Sequence, residues 1–376
     1  MKTSFQIDHV DPLGQGVSKI SDKITFIKKT LPGETGIAEV ISQKKGIQFA
    51  QLLSLEQVSQ KRISPECPHF ELCNGCDYLH THYSEECELK KKNIARSLTF
   101  LKLDQFQFHP SDTRFDYRNR VQLHYDLLKN QLGYMNNDRS ITSIQNCRVA
   151  HPQIQAKINE LLHDETWKKL VHPRYKTGHL ELYLKHGRVQ VALNKPYADG
   201  GFSQVHEKMN LKMKSEIDRI LNKIIQPNDI VFDLFGGDGN LTQSLTQKTF
   251  VIDFYNGKVP SAQNQKEFLD IDLYQADAIK KLKYKTKINP QVMIIDPPRS
   301  GLKNIIEFYQ QFRPNYILLV ACDFANFQRE LKSLLSNNKA EQPAEQLIHE
   351  LHFFDLFPGT RHFESMALFT TMPKSK

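Results

Sequence analysis

The order of apolar and polar positions divides the chain into three stretches with different periods. From about residue 5 to 60 come short β-rich segments, FQIDHV, GVSKI, KITFIKK, TGIAEVIS and IQFAQLLSL, broken by Gly14-Gln15-Gly16, Pro32-Gly33 and Lys44-Lys45-Gly46. Strands this short and this evenly spaced predict a small barrel of the OB type. A helix is expected over 84–100, where Ser84 offers an N-cap and Glu85 and Glu86 stand in the first turn. Strand-like stretches follow, RVQLHYDLL and QLGYMN joined at Lys129-Asn130, then HLELYLKHGRVQVALN with a hairpin turn at Gly187. This middle region reads as α+β. From Gly201 onward the pattern changes to helical segments alternating with runs that are apolar on both faces: DIVFDLF, KTFVIDF, QVMIIDPP and YILLVACD. Such runs, spaced by helices, predict a parallel, doubly wound α/β sheet. The expected domains are therefore 1–62, 63–200 and 201–376, with helix 84–100 a candidate to pack on the last of them.

A length of 376 residues suits such a division, and 39% hydrophobic residues with 13 Tyr and 23 Phe argue against disorder. The net charge of +8 changes the picture more, because a surplus of Lys and Arg favours a polyanionic partner whose phosphates it neutralises. Lys28, Lys29, Lys44, Lys45, Lys61 and Arg62 would place cations on the loops and edges of the barrel. The N-terminus has no continuous apolar core of a signal peptide, and the run Tyr316 to Cys322 is too short to cross a bilayer. A cytoplasmic protein is expected, with no membrane partner.

Four motifs carry chemistry in the C-terminal half. In V-F-D-L-F-G-G-D-G-N, Val231 to Asn240, a strand runs into a glycine turn, with a helix expected from near Leu241. Glycines there let backbone amides approach a ligand at the carboxyl end of a strand. The following strand ends in Asp253, placed to accept hydrogen bonds from the ribose hydroxyls of an adenosyl cofactor. These residues alone leave a nicotinamide cofactor open, while the absence of a Gly-Lys-Ser/Thr P-loop argues against nucleotide hydrolysis. The prolines of Asp296-Pro297-Pro298-Arg299 stop the strand VMII and project Asp296 at its carboxyl edge. Cys322 ends another buried strand beside Asp323, a nucleophile candidate, although a cysteine in an apolar run is more often inert core. In F-P-G-T-R-H-F-E, Glu364 stands between a Pro-Gly turn and the strand SMALFT, where a carboxylate suits a general base.

Cys67-x5-Cys73-x2-Cys76, with Cys147 far downstream, supplies four thiolates, enough for a tetrahedral zinc or an iron–sulfur cluster. Zinc ribbons pair their cysteines as two C-x2-C knuckles, and the three-plus-one arrangement here favours a [4Fe-4S] cluster. Its spacing also differs from the C-x3-C-x2-C of radical enzymes, so a structural or RNA-positioning role is expected. Cys87, on the expected helix, is read as unligated.

With these residues in place, the chain resembles the RNA uracil-5-methyltransferase family nearly end to end. The branch indicated carries a TRAM domain and an iron–sulfur cluster and modifies 23S ribosomal RNA. Pro32 to Glu34 and the barrel pattern look like TRAM, CPHFELCNGCDYLH looks like the family's cluster segment, and Cys147 in NCRVA matches the fourth ligand. G-F-S-Q-V resembles the family's phenylalanine–glutamine motif, which implies that Gln204 contacts the cofactor. Phe235, Asn240, Asp253 and Asp296 match the remaining cofactor and active-site positions, Cys322 the nucleophile and Glu364 the base. The family's usual Ser-Cys-Asn-Pro is here Ala321-Cys322-Asp323-Phe324, and the stretch between Asp253 and Asp277 is shortened.

The resemblance implies a Rossmann-like methyltransferase domain, S-adenosyl-L-methionine as methyl donor, RNA as substrate and a monomer. Uracil C5 is too weak a nucleophile to attack a sulfonium methyl, so a thiolate first adds to C6 and enriches C5. The target uridine must also leave its stack to expose both carbons. The uridine of the tRNA T-loop is the alternative substrate. An adenine or guanine N-methyltransferase working through the DPP motif, or an iron–sulfur RNA-binding protein without catalysis, are the rival readings.

Overall fold

Strands dominate the first part of the chain. The computed structural model describes residues 1–101, 106–136, 138–195, 204–257, 259–262, 265–337 and 344–371. Its residues form two compact units, neither of them one continuous stretch: Met1–Ser97 with Ser111–Glu207 and Phe357–Arg361, and Leu98–Pro110 with Lys208–Leu356 and His362–Lys376.

The first unit opens with β1 (Lys2–Gln6), β2 (His9–Val10), β3 (Gln15–Ile20), β4 (Lys23–Lys28), β5 (Thr35–Lys44) and β6 (Ile47–Gln57). They form one six-stranded sheet in the order β1-β5-β6-β4-β3-β2. Phe5, Ile7, Ile20, Ile27, Ala38 and Ala50 make its core. Helix α1 spans Tyr83–Ser97. It starts one residue before Ser84, so Ser84 lies inside the first turn and does not cap it; the amide of Glu86 donates to the His82 carbonyl instead. β7 (Gln107–His109) belongs to the second unit. The first unit then continues with β8 (Arg120–Asp126), β9 (Gln131–Met135), β10 (Ile141–Thr142), α2 (Pro152–Leu162), β11 (Thr177–Lys185) and β12 (Arg188–Leu193). Its second sheet, β10-β9-β8-β11-β12, packs Val121, Leu123, Leu180 and Leu182 against Ile154, Ile158 and Leu161 of α2 and against Trp167. His186 and Gly187 both take positive φ, 49° and 71°, in the two-residue turn that the sequence places between β11 and β12.

The second unit is built on eight strands: β13 (Ile230–Leu234), β14 (Lys248–Asp253), β15 (Lys266–Asp270), β16 (Val292–Ile295), β17 (Tyr316–Ala321), β18 (Ile348–Phe354) and β19 (Glu364–Thr370) join β7. Their order is β15-β14-β13-β16-β17-β19-β18-β7, parallel from β15 to β17, with β19 antiparallel to β17 and β18. Helices α3 (Glu207–Ile224), α4 (Ala278–Thr286), α5 (Ile305–Phe312), α6 (Phe324–Ser336) and α7 (Ala344–Leu347) accompany it. Val292 to Ile295 and Ile317 to Leu319 are fully buried, as expected of central parallel strands covered on both faces. The chain crosses from β13 to β14 without the helix expected from Leu241. Asn240–Thr242 form a single 3-10 turn behind Gly239 at φ 78°, and the few residues left before Lys248 are too short for a helical crossover. No helix among the described residues is long and apolar enough to cross a membrane.

Candidate active site

Parallel strands that end together present their last residues along one edge, and this edge gathers most of the expected site. Leu234 of β13 is in register with Ile252 of β14 and Ile295 of β16, and Ile295 with Leu319 of β17. Asp253 is the last residue of β14 and Asp296 follows β16 directly. Antiparallel β19 runs back to the same edge. Its Ser365 pairs with Ala321, so continuing that register by one residue sets Glu364 opposite Cys322. Cys322 itself is followed by α6, whose N-cap Asp323 accepts from the amide of Asn326 at 2.9 Å. Asp323 thus has a helix-capping function.

Burial decides the electrostatics of this group. Glu364 is 2% exposed, and burial, with a smaller push from Asp296, raises its pKa to about 8, partly offset by Arg299. Burial raises Asp296 to about 7, Asp253 adding to it. The Cys322 thiol is pushed up to about 12 by burial first, then by Glu364 and Asp296, while Arg299 works the other way. Three acidic groups therefore share one partly dry site in which protons are retained near neutrality. Buried groups of this kind are candidates for proton transfer.

At the neighbouring glycine turn, Phe235 has φ 62°, a left-handed conformation that is an outlier for an aromatic residue. Its amide donates to the Ile252 carbonyl at 2.8 Å, and its ring lies 5.4 Å from that of Tyr274. The amide of Gly237, φ 57°, donates to Asp253 Oδ2 at 2.8 Å, and Phe254 donates to Oδ1 at 2.7 Å. Asp253 is thereby fixed beside the turn, with Asn240 at its far end. Two residues without an assigned function in the sequence stand here. Asp233, fully buried, accepts from Thr242 Oγ1 at 2.8 Å, yet its Oδ1 has no hydrogen-bond partner among the described residues. Its pKa is raised to about 7 by burial against the Thr242 hydrogen bond. A carboxylate inside the apolar run VFDLF was the signal available. Tyr255 donates to the Gly237 carbonyl and receives no comparable hint from the sequence.

Gln204 lies in the first unit, where its backbone carbonyl accepts from Asn119 at 3.1 Å. Gly201, Phe202 and Ser203 of its motif lie outside the described residues.

The four cysteines Cys67, Cys73, Cys76 and Cys147 are all in the first unit and near enough to act on one another. Burial raises the pKa of Cys67, Cys73 and Cys76, and Cys147 adds to all three. Backbone amides already point at the sulfurs: Gly75 donates to Cys73 Sγ at 3.3 Å, and amides of His69 and Arg148 favour the Cys67 thiolate. Among the described residues no group of three or more His, Cys, Asp or Glu side chains is arranged to hold a metal ion. Cys87 is buried on α1. The loop bearing Cys76 grips residues 357–361: the amides of Asp77 and Tyr78 donate to the Gly359 carbonyl at 2.8 and 3.0 Å, Gly359 donates to Glu86 Oε1 at 2.7 Å, and Arg361 donates to Asp77 Oδ2 at 2.9 Å.

No family model matches the chain. Curated proteins do, over nearly its whole length. A "23S rRNA (uracil(1939)-C(5))-methyltransferase RlmD" from Shewanella halifaxensis (strain HAW-EB4) is 27% identical, covering 98% of this chain and 95% of its own. The protein of the same name from Marinomonas sp. (strain MWYL1) is also 27% identical, over 97% and 94%. Among solved structures, the Pyrococcus abyssi tRNA (uracil-54, C5)-methyltransferase in complex with S-adenosyl-L-homocysteine superposes with a TM-score of 0.70 at 17% identity, over 98% of this chain and 100% of that one. The last likeness is one of fold.

Proposed function

We infer that the chain, a member of the RNA uracil-C5 methyltransferases, forms 5-methyluridine in RNA at the strand edge that carries Cys322 and Glu364. The observation that carries the site assignment is the β17–β19 register, which sets these two residues opposite each other beside Asp296. S-adenosyl-L-methionine supplies the methyl group when bound. The residues at the glycine turn fit it: positive φ at Gly237 and Gly239 opens the backbone, Asp253 is oriented by two amides, and Asp233 Oδ1 is an unpartnered buried acceptor. We assign Phe235, Asn240, Asp253 and Asp296 to this pocket, and the resemblance adds Gln204 as a cofactor contact.

A thiol held at about 12 is a poor nucleophile and needs a base, and a carboxyl held at about 8 is protonated in most molecules at pH 7 but is a strong base in those where it is ionised. The ionised form of Glu364 takes the Cys322 proton as the sulfur adds to uracil C6, so the one negative charge passes from the carboxylate to the uracil enolate and two anions never face each other. After C5 is methylated, Glu364 releases that proton to solvent, removes the C5 proton and returns it to the sulfur as elimination breaks the C6–S bond. Asp296, partly exposed, orients the uracil edge or the methyl donor. Residues 1–62 would act as the TRAM-type barrel, 63–200 as the cluster domain and 201–376 as the catalytic domain.

We propose that the four cysteines hold a [4Fe-4S] cluster, a reading that rests on their three-plus-one spacing in the sequence, and N–H···S bonds of the kind at Cys73 and Cys67 stabilise such ligands. The substrate is 23S ribosomal RNA on the strength of the relatives, with tRNA as the alternative. Reduced thiols and an RNA substrate suit the cytoplasm.

RNA containing 5-fluorouridine tests the chemistry, because fluorine at C5 blocks the last proton removal. A covalent, denaturation-resistant adduct is expected with the parent protein and methyl donor, and none with Cys322→Ala. Methyl transfer retained by Cys322→Ala would instead favour an N-methyltransferase. Nucleoside mass spectrometry of rRNA and tRNA from a deletion strain identifies the substrate.

A further inference from the structure

Helix α4 carries a charge pattern that neither the methyl-transfer site nor the fold requires. Within residues 278–287 stand Lys280, Lys281, Lys283, Lys285 and Lys287, with no Asp or Glu among them. Ala278, Leu282 and Thr286 are the buried residues of the helix, and all five lysines point to solvent. Among the described residues only Lys281 of the five pairs with a carboxylate, Asp277 at 2.9 Å. In their midst Tyr284 is 79% exposed.

The bland explanation is that cations complement the carbonyl end of a helix. One or two in the last turn would do that. Here Lys281 and Lys285, and Lys283 and Lys287, are like-charged neighbours four residues apart, an arrangement that works against the helix. An exposed tyrosine between them has no packing function either. Lys281 and Lys285 stand one turn apart, about 6 Å along the helix, and Lys283 borders Tyr284 from its other side, so cations flank an exposed ring on both sides, an arrangement suited to a strand whose phosphates run along the helix and whose base or sugar meets the ring.

We propose that α4 is a second RNA-binding surface, on which Lys281, Lys283 and Lys285 contact phosphates of the substrate RNA and Tyr284 stacks on it. This rests on the reading of the protein as an RNA methyltransferase. The surface is separate from the reacting edge. α4 follows β15, which ends at the edge of Asp253 and Asp296, and leads into the start of β16, so its lysine-rich end lies toward the opposite edge of the sheet. RNA gripped there flanks the target uridine and is recognised by its backbone, without regard to sequence.

The test uses the full chain, a triple variant Lys281→Gln/Lys283→Gln/Lys285→Gln, and Tyr284→Ala. Binding to a short fluorescein-labelled RNA hairpin of mixed sequence is followed by anisotropy across a potassium chloride series. The triple variant is expected to lower the log–log salt slope by about two to three and to weaken binding about tenfold or more at low salt. Its thermal midpoint should hold or rise, because the repelling pairs are gone. Tyr284→Ala should weaken binding with an unchanged salt slope. An unchanged slope in the triple variant, or a midpoint that falls along with affinity, overturns the proposal. The 5-fluorouridine adduct separates the two readings: if the parent forms it while the triple variant binds the hairpin like the parent, the surface is wrong and the chemistry stands.

Discussion

Glu364→Gln removes a charge from a fully buried site and keeps the shape, so its effects on stability and turnover should have opposite signs. In the unfolded chain the carboxyl titrates near 4.5, and in the folded protein near 8. Between those values the native state holds the proton more tightly than the unfolded state, so stability falls as pH rises through the window. Below about 4.5 both states are protonated and the effect vanishes. Above about 8 the wild-type protein carries the full cost of a buried carboxylate. A displacement from 4.5 to about 8 corresponds to an upper limit of about 5 kcal/mol at 1.36 kcal/mol per pKa unit. Urea denaturation at a series of pH values from 5 to 9 should therefore find the variant close to wild type at the acid end and more stable by several kcal/mol, on the order of that limit, at the alkaline end. Single-turnover methylation should meanwhile be nearly abolished, since an amide accepts no proton. A stability difference that does not vary with pH would refute the buried-carboxylate argument, and full methylation by the variant would remove Glu364 as the base.

Arg219 and Lys223 flank Glu350, and the Arg219 hydrogen bond holds that carboxyl down to about 2. Its stabilisation is present above about 4.5 and lost as pH falls toward 2, so Arg219→Ala should be less stable than the parent from pH 8 down to about 4.5 and converge with it at lower pH, read by urea denaturation at each pH. Gly359→Ala places a Cβ 3.0 Å from Leu79 Cδ2 at φ 83°, and should lower stability by about 1–3 kcal/mol in thermal melts. Cys147→Ser should prevent anaerobic reconstitution from giving iron-dependent absorbance near ~400 nm, whereas Cys87→Ser should leave it intact; equal spectra for the two would count against the ligand set.

The parallel strands were legible because β13, β14, β16 and β17 are apolar on both faces, a pattern that few other elements produce. Cys322 and Glu364 were legible only as separate strand-end residues. Their pairing comes from β19 returning antiparallel beside β17, a topology that no local spacing encodes. β15 went unseen because KEFLD is short with charged ends, and β18 because IHELHFF mixes polar residues into its apolar run. Those polar residues have partners: Glu350 and His352 bond to each other at 2.9 Å, and His352 to His109 of β7 at 2.9 Å. The helix expected after the glycine turn failed for a different reason. A strand–turn–helix motif presumes enough chain to build the helix, and here the next strand begins too soon.

The grip on Gly359 has a consequence for synthesis. The amides of Asp77 and Tyr78 find their partner in a segment that emerges from the ribosome about 150 residues after the rest of the first unit, and the buried carboxylate of Glu86, already held by Lys90 and Arg114, gains a further donor there. At about 5–20 residues per second, this leaves the loop of Cys73 and Cys76 without its closing strap for roughly ten to thirty seconds. During that interval the loop lacks the hydrogen bonds with Gly359 and Arg361 that later hold it. A chain truncated before residue 357 would remain in that open condition indefinitely.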